Sequence, residues 1–391
     1  MDYLAVVNYH AAGTHLNKPP ILCFFARVKN NYFCMKKRKK KKSATLKTKR
    51  RNTFVLLAAI AVGLIVGPVL YFYVELYHPN VNGEGGYFYI RTGSTKEDVV
   101  AALENSGLIN NMSTMQSAIE RLEYGKKVYA GRFQLTPDMG NKQIVRILAS
   151  NMQAIVELKI TSVRKPERFA GLLSRQIEID SVTMLSALKN EELASQYGFN
   201  AATFMSMFLP DTYQVYWNIS LTDFVNKMHK AWAAYWQRDN HEEKLKALKM
   251  TKIQAVTLAS IVNAETAQVD EMTDIAGVYI NRLRAGMRLQ ADPTVKFAVG
   301  EGVVERRILT AYTRKKHPYN TYLIYGLPPG PINLPEPHHI DAVLNYHHHD
   351  YLFFCAKDDF SGYHAFAKTY QQHLVNARKY QAALNKRGIF K

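Results

Sequence analysis

One apolar segment constrains this chain more than any other feature, because it is long enough to cross a membrane. Residues 54–74 read FVLLAAIAVGLIVGPVLYFYV and include no charged side chain. A helix of about 20 apolar residues spans the roughly 30 Å hydrocarbon core of a bilayer. The sequence therefore predicts a single transmembrane helix over these residues.

A dense basic run lies directly before the apolar segment. Residues 36–42 read KKRKKKK, and four further cations follow within residues 47–51. Positive charge collects on the cytoplasmic side of membrane helices, so we expect the chain after Glu75 to lie outside the cytoplasm. These 11 cations supply most of the net charge of +19, so the remainder is only mildly basic and indicates no nucleic-acid partner.

Two other interpretations of this apolar segment are a buried core helix and a cleaved signal peptide. A core helix rarely stays apolar on every face directly after so many cations. A signal peptide has about 7 to 15 apolar residues and a small-residue cleavage motif. No such motif is present where YFYVELYHP follows, so we expect the helix to remain as an anchor.

The first 34 residues show no clear periodicity, whereas Met35 begins a conventional basic tail. We expect translation to start at Met35, with a genuine short cytoplasmic extension as the alternative. Cys23 and Cys34 lie in this leader, so Cys355 is the sole cysteine after the membrane helix and an intrachain disulfide is excluded there. The run YLFFCA around Cys355 is typical of a buried strand rather than of a nucleophile.

The remaining sequence predicts two folded units. Residues 35–53 form the basic cytoplasmic tail, and asparagine and glycine within residues 75–86 indicate a linker after the membrane helix. Residues 87–153 combine short strands with helical segments, which predicts a small α/β module. The pattern restarts with AIVELKITSVR, and residues 154–391 predict a mixed α+β domain.

One helix of this domain carries the strongest candidate for chemistry. Thr251 followed by Gln254 predicts a capping box at the start of the helix, and Glu265 falls near its end. The apolar residues at helical spacing, expected to form one buried stripe, are Ile253, Val256, Ala259 and Val262.

A turn with the sequence LQADPT follows the next helix, which Gly286 is expected to end. Asp292 before Pro293 is a helix-start signal, with aspartate as N-cap and proline at the first helical position. The sequence therefore places a second carboxylate in a turn of the same domain.

This region resembles a known family. LASIVNAET and INRLRAGMRLQADPTV are similar to motifs of the MltG-type (YceG-like) endolytic murein transglycosylases, membrane-anchored enzymes that cut peptidoglycan glycan strands. The resemblance continues in AGRFQLTPDMGNKQIVRIL, FLPDTYQVYW, HPYNTYLIYGLPPGPINLP and YLFFCAKDDFSGYHAFAKT, and covers roughly residue 87 to the C-terminus. It implies an α+β protein with one N-terminal transmembrane helix, a LysM-like α/β module and a catalytic domain.

The resemblance also implies site residues. Glu265 matches the family's catalytic glutamate in its xxxET context, and burial would raise its pKa towards neutrality, as an acid catalyst requires. Asn263 is a candidate hydrogen-bond partner, although many relatives have glutamate at that position. The implied substrate-binding residues are Gln290, Asp292 and Thr294 of the turn, Tyr319 and Asn320 of the PYNTY loop, and Gly330 and Pro331 of the groove wall.

Other chemistries have weaker support. Six histidines cluster late in the chain, but their spacing matches no zinc-ligand motif, so we expect neither a metal nor a cofactor. No GxSxG motif indicates a serine nucleophile. The histidines are His338, His339, His347, His348, His349 and His364.

We therefore expect an endolytic peptidoglycan lytic transglycosylase in the cytoplasmic membrane. It would cleave the MurNAc-β-1,4-GlcNAc bond and form 1,6-anhydroMurNAc ends, with Glu265 as general acid and then base. The expected partners are glycan strands, the membrane and, as candidates, peptidoglycan synthases. The alternatives are a hydrolytic muramidase that uses Glu265 and Asp292, and a non-catalytic peptidoglycan-binding scaffold.

Overall fold

The computed structural model describes residues 33–300 and 310–388, with side chains from residue 47. Residues 1–32 of the predicted leader lie outside the described residues, so Met35 as the true start stays a prediction. Contacts divide the chain into two compact units, Met1–Phe72 and Tyr73–Lys391.

In its described part, the first unit is a segment of one long helix, α1 (Phe33–Tyr77). Within the portion Lys47–Tyr77, an 18-residue window reaches a mean hydropathy of 2.6. None of the residues in this window is buried by protein. By length and composition this helix can cross a membrane, and it contains the predicted span at residues 54–74.

The second unit begins with a small module that has its own hydrophobic core. Strands β1 (Gly86–Ile90) and β2 (Gly131–Leu135) pair antiparallel. Three helices cover this pair: α2 (Lys96–Ser106), α3 (Met112–Arg121) and α4 (Asn141–Leu148). The core forms because the inward-facing residues of each element are apolar; Leu103, Met115 and Phe133 are completely buried.

The segment predicted to be a linker is instead packed against this module. Pro79 bridges to Gly140 and Val81 to Ile109, and Val81 is buried. The Asn80 amide donates to Asn141 Oδ1 over 2.6 Å. Asparagine, which is common in linkers, here supplies the hydrogen bonds that attach residues 79–82 to the module.

The larger part of the second unit is mixed α+β. Strand β3 (Val156–Ile160) pairs antiparallel with β4 (Asp211–Val215), and β5 (Phe353–Ala356) with β6 (His364–Ala367). Its helices are α5 (Pro166–Ser174), α6 (Ser181–Leu188), α7 (Glu191–Gln196), α8 (Leu221–Gln237), α9 (His241–Leu248), α10 (Lys252–Glu265), α11 (Met272–Arg284), α12 (Asp292–Val299), α13 (Thr310–Thr313), α14 (Pro337–Leu344) and α15 (Tyr370–Lys386).

Helix α10 lies at the centre of this part. The predicted capping box is present, because Thr251 and Gln254 exchange side-chain-to-backbone hydrogen bonds. The prediction of one buried stripe was too narrow, since every residue from 255 to 262 is buried. Helices α11, α12 and α14 all contact α10 and cover its remaining faces.

The backbone explains two helix boundaries. Helices α8 and α9 are separate because Asp239 and Asn240 between them adopt left-handed backbone angles, with φ of 52° and 55°. Helix α14 begins at Pro337, and proline is favoured at the first helical positions.

Two glycines inside helices allow a matched stability test. A Cβ on Gly277 of α11 would lie 2.6 Å from the carbonyl oxygen of His347, so Gly277→Ala should lower the free energy of unfolding by about 1–3 kcal/mol. A Cβ on Gly171 of α5 would meet no atom within 4 Å. Gly171→Ala should therefore raise the free energy of unfolding by about 0.5–1 kcal/mol. Denaturant unfolding of the detergent-solubilised full chain measures both. Equal effects of the two substitutions would contradict the packing at Gly277.

Candidate active site

Glu265 is the last residue of α10 and lies where the chain leaves the core. The next residue, Thr266, is extended, with φ −138° and ψ 146°. Glu265 is therefore attached to a rigid buried helix, while its side chain lines a cavity of about 410 Å³. This position combines fixed geometry with access to a ligand.

Tyr279 of α11 is the hydrogen-bond partner of Glu265. Its Oη donates to Glu265 Oε1 over 2.6 Å, and the tyrosine is buried. Burial raises the pKa of Glu265 to about 7, and the negative charge of Asp292 acts in the same direction. The Tyr279 hydrogen bond and the positive charges of Lys296 and Arg282 partly oppose this increase.

Arg282 places a buried positive charge near the acid. Its Nε donates to the carbonyl oxygen of Leu352 over 2.6 Å, and its Nη1 to that of Leu289 over 2.5 Å. Tyr279 and Arg282 were not among the site residues predicted from the sequence. Their separation of three residues, which puts them on one helix face, was the available signal.

Asp292 is not the N-cap of α12, contrary to the sequence prediction. The N-cap is Ala291, and Asp292 is the first helical residue, with no side-chain capping hydrogen bond. Instead, Tyr322 Oη donates to Asp292 Oδ1 over 2.6 Å. Tyr322 therefore engages the carboxylate that was expected to cap the helix, and Asp292 remains exposed.

Gln290 adopts an unusual backbone conformation. Its φ is +49°, in the left-handed region that non-glycine residues avoid at a cost of about 1–2 kcal/mol. The backbone N–H of Gln290 donates to the carbonyl oxygen of Thr321 over 3.1 Å, and this hydrogen bond holds the turn. The side chain is exposed, so it is available to a ligand. Strain that the surroundings maintain is a frequent property of functional sites.

Thr294 and Asn320 were expected to contact substrate, but both are completely buried. Thr294 Oγ1 donates to the carbonyl oxygen of Ala291 over 2.6 Å. The Asn320 amide donates to the carbonyl oxygens of Thr313 and Lys315. In this structure the two side chains hold the turn and the loop in place, and neither lines any of the three cavities described below.

The loop predicted to form a groove wall packs closely on the fold. Tyr319 is half-buried against Phe297, with ring centroids 4.6 Å apart. A Cβ on Gly330 would lie 2.7 Å from the carbonyl oxygen of Ala202 and 3.1 Å from Tyr319 Oη, so only glycine fits there. Pro331 is half-buried beside this contact.

Three cavities adjoin the C-terminal end of α10. They measure about 820, 320 and 410 Å³, and Ala264 lines all of them. Glu265 lines only the last. The Asn263 amide, expected to contact Glu265, donates to Ser162 Oγ and Asn333 Oδ1 instead, because it faces the largest cavity. The cavity of the acid therefore has two neighbouring cavities that share the lining residue Ala264 with it.

The late histidines are engaged in separate contacts. His364 Nδ1 lies 2.7 Å from Glu271 Oε2, and His347 Nδ1 lies 3.1 Å from Asp274 Oδ1. Within residues 33–300 and 310–388, no three His, Cys, Asp or Glu side chains are placed to hold a metal. Cys355 is half-buried in β5, where burial raises the pKa of its thiol.

Together these features define a mixed α+β protein with one partly buried glutamic acid beside three neighbouring cavities. The chain belongs to the YceG-like family, whose model matches residues 88–379. Its first unit adds a helix that is long and apolar enough to cross a membrane.

Proteins of known name or structure agree with this assignment. A Bacillus subtilis (strain 168) protein named endolytic murein transglycosylase is 28% identical over 291 residues, covering 71% of this chain and 73% of that protein. A protein of the same name from Streptococcus pneumoniae serotype 2 is 26% identical over 51% of this chain, which matches only 35% of that protein's length. The crystal structure of a putative yceG-like protein from Listeria monocytogenes is 26% identical, with a TM-score of 0.51, and the match covers 75% of this chain and 98% of that one.

The raised pKa of Glu265 predicts a pH-dependent difference in stability between the wild type and Glu265→Gln. The ordinary pKa is 4.5 and the folded value about 7, so the folded state favours the protonated form. The wild type therefore loses stability as pH rises from 4.5 through 7, and glutamine does not titrate. From pH 4 to pH 8, the free energy of unfolding of the variant should increase relative to the wild type by about 1–3 kcal/mol. A pH-independent difference between their unfolding curves would exclude a raised pKa.

Proposed function

We propose that this chain is a lytic transglycosylase that cleaves the MurNAc-β-1,4-GlcNAc bond of peptidoglycan strands. One observation carries the proposal. Glu265 lies at the end of a buried helix, accepts a hydrogen bond from Tyr279 Oη over 2.6 Å, and has a pKa raised to about 7. The name of the relatives, endolytic murein transglycosylase, supports the same substrate class.

The first step requires an acid. A pKa of about 7 leaves a large fraction of Glu265 protonated at neutral pH, so it can donate a proton to the glycosidic oxygen as the C1–O4 bond breaks. The leaving sugar then carries the proton on its 4-hydroxyl group. Positive charge develops at C1 of the muramic sugar, and the deprotonated Glu265 beside it is electrostatically favourable.

The second step requires a base, and the same carboxylate provides it. Tyr279 Oη donates to Glu265 Oε1 and therefore stabilises the charged form. The carboxylate accepts the proton of the muramic C6 hydroxyl, whose oxygen bonds to C1 and closes the 1,6-anhydro ring. Glu265 returns to its protonated form, and no water or second carboxylate takes part.

The arrangement of the cavities favours cleavage within strands. Ala264 lines the cavity of Glu265 and the two cavities beside it, so a long polymer could lie across the acid. Gln290 and Asp292 are exposed and remain candidates for contacts to sugar groups. Tyr319, Gly330 and Pro331 would shape the wall, while Thr294 and Asn320 support it from within.

We extend the proposal to the rest of the chain. Residues 35–53 would be a cytoplasmic tail, 54–74 the membrane anchor, 87–153 a LysM-like glycan-binding module and 154–391 the catalytic domain. The chain after Glu75 would be extracytoplasmic, where peptidoglycan lies and where peptidoglycan synthases are candidate partners.

A hydrolytic muramidase is a second candidate, because a second carboxylate is electrostatically coupled to the acid. The charge of Asp292 raises the pKa of Glu265, and Asp292 is exposed. A hydrolase could use such a carboxylate to activate water or to attack the sugar. A binding scaffold would need no acid of raised pKa, so we place it third.

Glu265→Gln should fold normally and lose activity by about 10²- to 10⁴-fold, the usual contribution of general acid–base catalysis. Glutamine keeps the size and an acceptor for Tyr279 but has no transferable proton. Digestion of purified glycan strands, followed by mass spectrometry, measures the rate and identifies the new ends.

The products separate the three candidates. Wild-type protein should release 1,6-anhydro-muramoyl ends, whereas ordinary reducing ends would identify a hydrolase. Intact strands would identify a scaffold. Near-normal turnover by Glu265→Gln would remove this residue from the mechanism.

The topology is tested separately by a reporter that is active only in the cytoplasm. Fused to the C-terminus of the full chain, it should be silent, because the cations before the helix retain the N-terminal side in the cytoplasm. The same reporter fused after residue 53 should be active. Strong activity of the C-terminal fusion would reverse the proposed orientation.

A further inference from the structure

The largest cavity beside the proposed catalytic acid is lined by three arginines. Its volume is about 820 Å³, and Arg164, Arg168 and Arg175 all contribute to its lining. It shares Asn263 and Ala264 with the cavity of Glu265. A group that occupies this arginine cavity would therefore be attached to the substrate close to the bond that is cleaved.

The three arginines are exposed and have no hydrogen-bond or ion-pair partner among the described residues. Glu167 also lines the cavity, but Lys189 Nζ contacts its carboxylate over 2.7 Å. The arginine cavity therefore has an excess of positive charge that Glu167 does not compensate. Arginine binds carboxylates well because its planar guanidinium can donate two parallel hydrogen bonds.

The three arginines lie in and next to helix α5: Arg164 precedes it, Arg168 is within it, and Arg175 is its C-cap residue. Arg168 and Arg175 are seven residues apart, so they lie on the same face two turns from each other. Gly171 lies between them on that face and lines the cavity. A Cβ there would meet no atom within 4 Å, so packing does not require glycine. The missing side chain leaves room between the two arginines.

Part of the lining of this cavity carries neutral polar groups. The Asn263 amide donates to Ser162 Oγ over 3.2 Å and to Asn333 Oδ1 over 3.0 Å, and all three residues line the cavity. Amides and hydroxyls suit the N–H and C=O groups of a peptide, and the arginines suit carboxylates. Together they fit a short acidic peptide better than a neutral sugar.

We propose that the arginine cavity binds the carboxylate-bearing peptide carried by the muramic acid unit next to the cleaved bond. This inference rests on the proposed function, since peptidoglycan is the substrate that brings such a peptide beside Glu265. The site therefore selects strands whose peptides retain free carboxylates and positions them for cleavage.

The test uses two matched probes. One is a short glycan strand whose peptide carboxylates are free, and the other is the same strand with these carboxylates converted to primary amides. Binding is measured by calorimetry to the full-length Glu265→Gln protein in detergent, which prevents cleavage. The free-acid strand should bind about tenfold more tightly, since hydrogen bonds to charged groups are the stronger class.

Variants then identify the cavity as the source of the preference. Arg168→Gln combined with Arg175→Gln, in the same background, should reduce the ratio of the two affinities towards one. The control combines Arg378→Gln with Lys379→Gln on α15, which makes the same change in charge but lines none of the three cavities. The control should retain the tenfold ratio.

The outcomes separate this proposal from the proposed function. The proposal is overturned if the Glu265→Gln protein with its arginines intact binds the two strands equally. It is also overturned if the α15 control lowers the ratio of the two affinities as much as the arginine variant does. Either result leaves cleavage by Glu265 untouched, because cleavage is scored by product analysis of the wild type. The proposal is supported if only the arginine variant loses the preference for the free-acid strand. This holds even if the products of cleavage are those of a hydrolase.

Discussion

The burial of α10 on every side is the constraint on which the larger α+β part of the second unit depends. A helix whose residues 255–262 are all inaccessible to solvent needs neighbours on each face, and α11, α12 and α14 provide them. Those neighbours bring Tyr279, Lys296 and Asp292 into the electrostatic surroundings of the last residue of α10. The helix that organises the core therefore also assembles the environment of Glu265.

Opposing effects determine the protonation of Glu265. Removal from water favours the neutral acid, whereas the tyrosine hydrogen bond and two nearby cations favour the carboxylate. Removal from water is the larger effect and the opposing contacts limit it, so the pKa rises from 4.5 to about 7. An acid that must first give a proton and then take one benefits from this balance, because both states remain accessible.

The elements with strong local signals could be predicted from sequence. The capping box at Thr251, the glycine end of α11 at Gly286 and the apolar span within α1 follow from short-range patterns. The local environment of Glu265 could not be predicted, since its partner Tyr279 lies 14 residues away on another helix. A carboxylate before proline predicts a helix cap, and only the fold reveals that Tyr322, 30 residues along the chain, binds it instead.

The same limit applies to the predicted substrate contacts. Thr294 and Asn320 are polar residues in an apparent binding loop, and pattern alone cannot distinguish a side chain that faces a ligand from one that satisfies buried backbone groups. In this structure both side chains are completely buried and donate hydrogen bonds to backbone carbonyl oxygens, and their contact with substrate stays a prediction. By contrast, the arginines in and next to α5 have no motif, and their shared cavity appears only once the helix is placed beside Asn263.

Ala264 has a consequence for how much of a polymer the groove can hold at once. Its methyl group is the only side chain that lines all three cavities among the described residues. A bulky side chain at this position would reduce the space in all three cavities at once. If a glycan strand lies across them as proposed, this one small residue limits how many sugar units on both sides of Glu265 can be accommodated together.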